Sequence, residues 1–163
     1  MVDAFAEFVN NAKQEPPAHS LDQPVATWTE RELLDGEFNI GKALFRVGNL
    51  KEALQAFTRA TELNPQNRSA WNNRGVTLRQ LNRIEETIPC YERAIQLKQD
   101  YAWAWHNKGY ALELLDRPRE ALECYQQTLM HQSGHEDHDG SEWKRLLDDT
   151  EKAITRIELI LEH

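Results

Sequence analysis

The stretches "WNNRGVTLRQL" (71–81) and "WHNKGYALELL" (105–115) are one phrase written twice. Trp71 and Trp105 lie 34 residues apart, and so do Asn73 and Asn107, Gly75 and Gly109, and Leu78 and Leu112. A more degenerate copy sits one interval upstream, at Asn39, Gly41 and Leu44. Three windows align without gaps: 34–67, 68–101 and 102–135. Each opens on a helical pattern with a central glycine. Each then crosses a breaker (Gly48-Asn49, Asn82-Arg83, Asp116-Arg117-Pro118) and continues into a second helical pattern. Ile40, Leu44 and Val47, Leu78 and Leu81, and Leu112 and Leu115 keep helical spacing. No segment alternates with period two, so no strands are expected. A fixed interval of this length marks supersecondary units that stack to bury one another's faces.

The repeated residues resemble the tetratricopeptide repeat. Trp71 and Trp105 take that family's first aromatic place, and Gly41, Gly75 and Gly109 its small-residue place. Leu44, Leu78 and Leu112 follow. In the second helices Ala53 and Ala121 are the small contacts and Phe57, Tyr91 and Tyr125 the large ones, with Ala60 and Ala94 after them and Pro65 closing the first unit. The resemblance implies an all-α fold, a right-handed α-solenoid of three helix pairs. A mid-helix glycine costs ~1 kcal/mol against alanine, so three in phase require a packing reason, which the facing aromatics supply. Some places depart from the pattern. Glu37 stands where Trp71 and Trp105 predict an aromatic, Thr87 and Thr128 replace small residues, His131 replaces an aliphatic, and Pro89 falls early in a second helix, where it kinks the chain unless it lies in the first turn.

The flanks differ from the middle. The chain has 163 residues and a formal charge of −8. Residues 1–34 carry six acids and two bases, 135–163 nine and four, and the middle twelve and thirteen. Such a balance argues against nucleic acid and anionic membranes as partners, since both need clustered Lys and Arg. No apolar run approaches the ~20 residues that span a bilayer, and the start lacks a signal-peptide pattern, so a cytoplasmic location is expected. Residues 1–28 read as an N-terminal extension: Val2, Phe5, Phe8, Val9 and Ala12 at helical spacing, then a Pro-rich linker over 14–27. Thr29 with Glu32 forms a candidate capping box, and Trp28 with Leu33 a hydrophobic staple. The repeats then occupy 29–135. Residues 136–160 read as a connector and a C-terminal capping helix, with Trp143, Leu146, Leu147, Ile154 and Ile157 on one face and acids turned outward. Leu161–His163 resemble a tag remnant.

Asn39, Asn73 and Asn107 recur two residues before each glycine. In the family the first helices line an inner concave wall, so the resemblance places these amides in a groove. An amide side chain carries two donors and an acceptor and can pair the backbone of an extended peptide without reading its sequence, much like the asparagine ladder of O-linked N-acetylglucosamine transferases. Helical spacing puts Phe38, Lys42, Phe45 and Arg46 on the face of Asn39, Asn72 and Arg79 on that of Asn73, and Trp103, His106 and Tyr110 on that of Asn107. The aromatics Phe38, Phe45, Trp103 and Tyr110 suggest apolar anchor pockets, unless a terminal segment covers them. The branch of the family that grips the terminal carboxylate of heat-shock chaperones needs further Lys, Asn and Arg at places held here by Phe38, Lys42, Trp103 and Asn107. Too little positive charge remains for that role.

Other constellations carry less. His131, His135, His138, Asp137 and Asp139 gather enough ligand chemistry for a divalent ion, but a Gly-flanked connector is the simpler reading and no metal is expected. Cys90 and Cys124 lie on second helices as apolar filler, since helices 8–10 Å apart leave them too distant to bridge. No nucleophile elbow, P-loop, dinucleotide or zincin motif occurs. The expected protein is a non-enzymatic scaffold or adaptor without catalytic residues or cofactors. It would hold a protein or peptide segment in its groove and exist as a monomer rather than a homodimer. Self-association through the N-terminal helix, or a regulatory fragment of a larger assembly factor or enzyme, are the competing readings.

Overall fold

A computed structural model describes residues 30–131 and 140–162, with side chains in the first helix from Asp35 onward. The expectations for residues 2–12 and 14–27, the Thr29 cap, the Trp28–Leu33 staple and the His135–Asp139 cluster lie outside the described residues. The described residues form seven helices in order: α1 (Glu30–Arg46), α2 (Leu50–Leu63), α3 (Arg68–Gln80), α4 (Thr87–Leu97), α5 (Ala102–Leu114), α6 (Pro118–Met130) and α7 (Gly140–Leu161). No strand occurs among the described residues. The fold is an all-α solenoid, as the repeats predict.

The turn within each pair repeats at the same interval as the sequence. Gly48, Asn82 and Asp116 all take positive φ, at 80°, 59° and 56°. The next amide in each case, of Asn49, Arg83 and Arg117, donates to the carbonyl of Leu44, Leu78 and Leu112 at 3.0, 3.0 and 2.9 Å. This is the six-to-one bond of a left-handed helix stop, and Gly, Asn and Asp are the residues that tolerate that conformation.

Within each pair a ring fills the place left by a glycine. A Cβ on Gly41 would lie 2.7 Å from the Phe57 ring, on Gly75 2.5 Å from Tyr91, and on Gly109 2.9 Å from Tyr125. Each is below van der Waals contact, so the three glycines are packing requirements. Ala53, Ala60, Ala94 and Ala121 are fully buried and let the helices approach. The two tryptophans tie units together by one repeated bond. Trp71 Nε1–H donates to the Pro65 carbonyl at 3.0 Å, and Trp105 Nε1–H to that of Gln99 at 2.8 Å. At the equivalent place Glu37 pairs instead with Arg59 at 3.0 Å.

The other departures are accommodated locally. Thr87 and Thr128 are buried, but their hydroxyls donate to the carbonyls of Ile84 (2.7 Å) and Cys124 (3.1 Å). A threonine can therefore stand where alanine is expected. Pro89 is the third residue of α4, which has 11 residues against 14 in α2 and 13 in α6. The second helix starts later than the repeat pattern predicts because a proline clashes with the carbonyl four residues back, leaving 83–86 outside. Pro118 opens α6 at a position where its missing N–H costs nothing.

First helices approach one another along the array, α1 with α3 and α3 with α5, whereas among the described residues the backbones of α2 and α4, and of α4 and α6, stay further apart. The second helices thus lie on the longer, outer arc and the first helices on the inner one. Helix α7 packs on α6 and also touches α5, taking the place of a further first helix. It buries Trp143, Leu146, Thr150, Ala153 and Ile157, while Leu147 and Ile154 are half-buried at the margins. The contact face is thus shifted from the expected one, with Thr150 and Ala153 at its centre. At the opposite end Ile40 and Val47 are 46% and 58% exposed. The equivalent side of α3 and α5 meets the preceding unit through Arg74–Thr61 (3.4 Å) and Lys108–Glu92 (2.9 Å). Helix α1 has no such unit before it among the described residues, so these two apolar side chains stay bare.

Candidate functional site

The inner arc is built from α1, α3, α5 and α7. Arg79, His106, Asn107 and Tyr110 share a concavity of ≈ 540 Å³ whose far wall is α7, through Arg145, Asp149, Lys152 and Arg156. An adjoining one of ≈ 310 Å³ is lined by Trp103, His106 and Asn107 against Glu142, Arg145 and Leu146. Five residues singled out from sequence spacing in the second and third units therefore meet around one channel. Asn39 is exposed on α1 and Asn73 half-buried on α3.

Several of these side chains also have structural partners. The Asn107 amide nitrogen donates to Asn72 Oδ1 at 3.0 Å, and Asn72 is buried. The two form a link between units, and the bond uses the Asn107 nitrogen rather than its carbonyl oxygen. Phe38 packs on Phe57 with ring centroids 6.1 Å apart, under the Lys42 ammonium at 5.5 Å. Phe45 is half-buried and Arg46 exposed. Trp103 stacks obliquely on Trp143 of α7 at 6.5 Å. The rings of Phe38 and Trp103, expected as anchors, are thus partly covered, the second by the C-terminal helix.

Arg79 lies with its guanidinium 4.8 Å from the Tyr110 ring, a cation–π contact, and close to the buried Tyr91 hydroxyl. Tyr110 stays more than a third exposed. His106 is partly buried against the Tyr125 ring, and its Nδ1 lies 2.7 Å from the Thr150 hydroxyl. That hydroxyl donates to the Leu146 carbonyl, so the imidazole Nδ1–H donates to Thr150. Loss of water around the ring pushes the His106 pKa down to about 4; Asp149 opposes the shift and Arg79 adds to it. The imidazole is therefore neutral at physiological pH.

One polar knot closes the array. Tyr125 donates its hydroxyl proton to Glu113 Oε2 at 2.6 Å, and Arg156 of α7 grips both oxygens of Glu113 at 2.7 and 2.9 Å. Burial and the Glu113 carboxylate hold the Tyr125 hydroxyl well above the usual phenol range. Sequence spacing does not single out the α7 side chains of this wall. Their positions are ordinary surface places on an amphipathic helix, and only the docking angle turns them inward. Cys90 and Cys124 are both buried and unpaired, and burial pushes the Cys124 thiol up to about 11, away from nucleophilic use. Among the described residues no helix is long and apolar enough to cross a membrane.

Two family models, both described as tetratricopeptide repeat, match residues 38–102 and 90–123. Together they span residues 38–123, which hold all three glycines and the rings of Phe57 and Tyr91. The chain belongs to the tetratricopeptide repeat family. Solved structures share its fold at low identity. The Arabidopsis OM64 domain is 20% identical with a TM-score of 0.65, covering 78% of this chain and 96% of that one. The TPR2B domain of yeast Sti1, in a complex with pHsp70, is 19% identical with a TM-score of 0.63, covering 73% and 96%. PcrH, in complex with the chaperone binding region of PopD, is 11% identical with a TM-score of 0.71, covering 79% and 93%. No curated protein matches the sequence. The tetratricopeptide repeats here constitute a protein-interaction module, and its helices α1, α3, α5 and α7 supply the inner surface.

Proposed function

We propose that this protein is a non-enzymatic adaptor of the cytoplasm that, as a monomer, holds an extended or helical segment of a partner protein in the groove of α1, α3, α5 and α7. The observation that carries the reading is the convergence of Asn107, Tyr110, His106 and Arg79 on one concavity, with Asn73 one repeat earlier in the sequence, on α3. Asn39, Asn73 and Asn107 pair the ligand backbone. Phe45 and Tyr110 take apolar side chains, helped at their edges by Phe38 and Trp103, while Lys42, Arg46 and Arg79 meet acidic groups. Sti1 and PcrH, of the same fold, are complexed with pHsp70 and with the chaperone binding region of PopD, which supports the class of ligand. Three amide contacts at ~0.5–1.5 kcal/mol each, and two or three apolar anchors at ~1.5–3 kcal/mol each, work against the cost of ordering the ligand. The affinity is therefore micromolar.

The test is capture of partners from native lysate by wild-type protein and by Asn73→Ala. A partner set that the variant loses supports the ladder. Identical sets for the two proteins remove the role assigned to it. Sedimentation of the full chain as a dimer at micromolar concentration would replace the monomer reading with self-association.

A further inference from the structure

The C-terminal flank is acidic as a sequence, with nine acids against four bases over 135–163. Folding sorts those charges. Three of the four bases, Arg145, Lys152 and Arg156, stand on the groove wall, and Arg79 of α3 faces them across the same concavity. Two carboxylates answer these four cations. Glu113 is taken by Arg156 and Tyr125. Asp149 is shared by Arg145 and Lys152, at 3.9 Å from each, the long limit of an ion pair. Arg79 is stacked on Tyr110 rather than on a carboxylate. Within this concavity the balance is four minus two, a local charge of +2 on a chain whose total is −8; Glu142 of the adjoining depression, which Arg145 also lines, brings the whole channel to +1. The Arg145 and Lys152 side chains are 86% and 74% exposed, so both can swing to a new partner without unpacking α7.

We infer that the end of the groove between α3, α5 and α7 is a carboxylate-reading site, and that it takes a protein segment bearing paired Asp or Glu side chains. The proposal rests on the groove reading above and deepens it: the closing helix, besides covering the last unit, supplies most of the charge that selects the ligand. Arg145 and Lys152 reach one carboxylate from the α7 side. Arg79 meets the second from the α3 side, with the Tyr110 ring holding its guanidinium plane in place. The Asn107 carbonyl oxygen accepts a backbone N–H between the two. Cations at exposed positions act through long-range attraction, so the binding weakens with salt.

Selection of random dodecapeptides displayed on phage, their C-termini fused to the coat protein so that no terminal carboxylate is present, tests this with the full chain as bait. The recovered sequences are expected to be enriched in Asp and Glu over the input. A recovered peptide should bind about tenfold more weakly to the Arg145→Glu/Lys152→Glu variant, and more weakly to wild type in high salt. The variant Arg119→Glu/Lys144→Glu carries the same change in net charge on side chains exposed elsewhere, and should bind as wild type does. Recovery of peptides without acidic bias, or equal weakening by both double variants, overturns the carboxylate site. If those peptides still lose binding to Asn73→Ala, the groove reading survives alone. If no recovered peptide responds to Asn73→Ala or to the α7 variant, both readings fall.

Discussion

At the scale of single residues, the glycine–ring contacts make a two-sided expectation. Gly75→Ala adds a methyl 2.5 Å from the fully buried Tyr91 ring, so overpacking of ~1–3 kcal/mol outweighs the ~1 kcal/mol that alanine adds in helix propensity. Gly36, in α1, has open space where a Cβ would stand, with nothing within 4 Å, so Gly36→Ala should stabilise by ~0.5–1 kcal/mol. Urea unfolding of the two variants is expected to move the midpoint in opposite directions. His106 sets a pH dependence. Its folded pKa of about 4 lies below the ordinary 6.5, so the unfolded chain takes up the proton first. The contribution is complete above pH 6.5 and is lost on acidification toward pH 4, at up to ~1.4 kcal/mol per pH unit. His106→Gln should flatten that part of the stability profile, and an unchanged slope between pH 6.5 and 4 would contradict the buried neutral imidazole. The interval of 34 residues and the glycine–ring pairing were legible in the sequence, because each depends on residue type alone. The Asn72–Asn107 bond was not, because it joins two units whose relative rotation no local spacing specifies.

At the scale of elements, α4 and α7 depart most from what periodicity predicts. Helix α4 is shortened by a proline whose effect depends on where the helix starts, and the start depends on the proline. Helix α7 was legible as an amphipathic helix, but its buried face is centred on Thr150 and Ala153 rather than on its largest apolar residues. A threonine suits that place because its hydroxyl returns to the Leu146 carbonyl at 2.7 Å and still accepts from His106. Docking of α7 should depend on Glu113. Replacing it with alanine removes the acceptor of the Tyr125 hydroxyl and the partner of Arg156. Because Arg156 is half-exposed, the cost is expected at ~1–2 kcal/mol. Glu113→Gln, which keeps an acceptor for Tyr125, should lose less. Thermal unfolding of the pair reads the difference, and an equal loss in both variants would assign the effect to the charge alone.

At the scale of the whole molecule, stability is a sum over units and the interfaces between them. Helices α3, α4 and α5 have neighbours on both sides, whereas α1 presents Ile40 and Val47 bare and α7 has Leu159 and Ile160 exposed near its end. Amide hydrogen exchange is therefore expected to be slowest in α3–α5 and faster in α1 and the last turns of α7. Uniform protection along the array would mean that the units unfold as one block.

By itself the sequence determined the class of fold, the three glycine–ring pairs and the breakers at Gly48-Asn49, Asn82-Arg83 and Asp116-Arg117-Pro118. These depend on steric rules that act within a helix or between two helices joined by a short turn. The tertiary structure alone decided that Asn107 links to Asn72, that Trp103 is partly covered by Trp143, and that Arg145, Lys152 and Arg156 of an acidic segment turn toward the groove. Those outcomes depend on the angle at which α7 seats on α5 and α6. That angle is the sum of many weak contacts between residues distant in the chain.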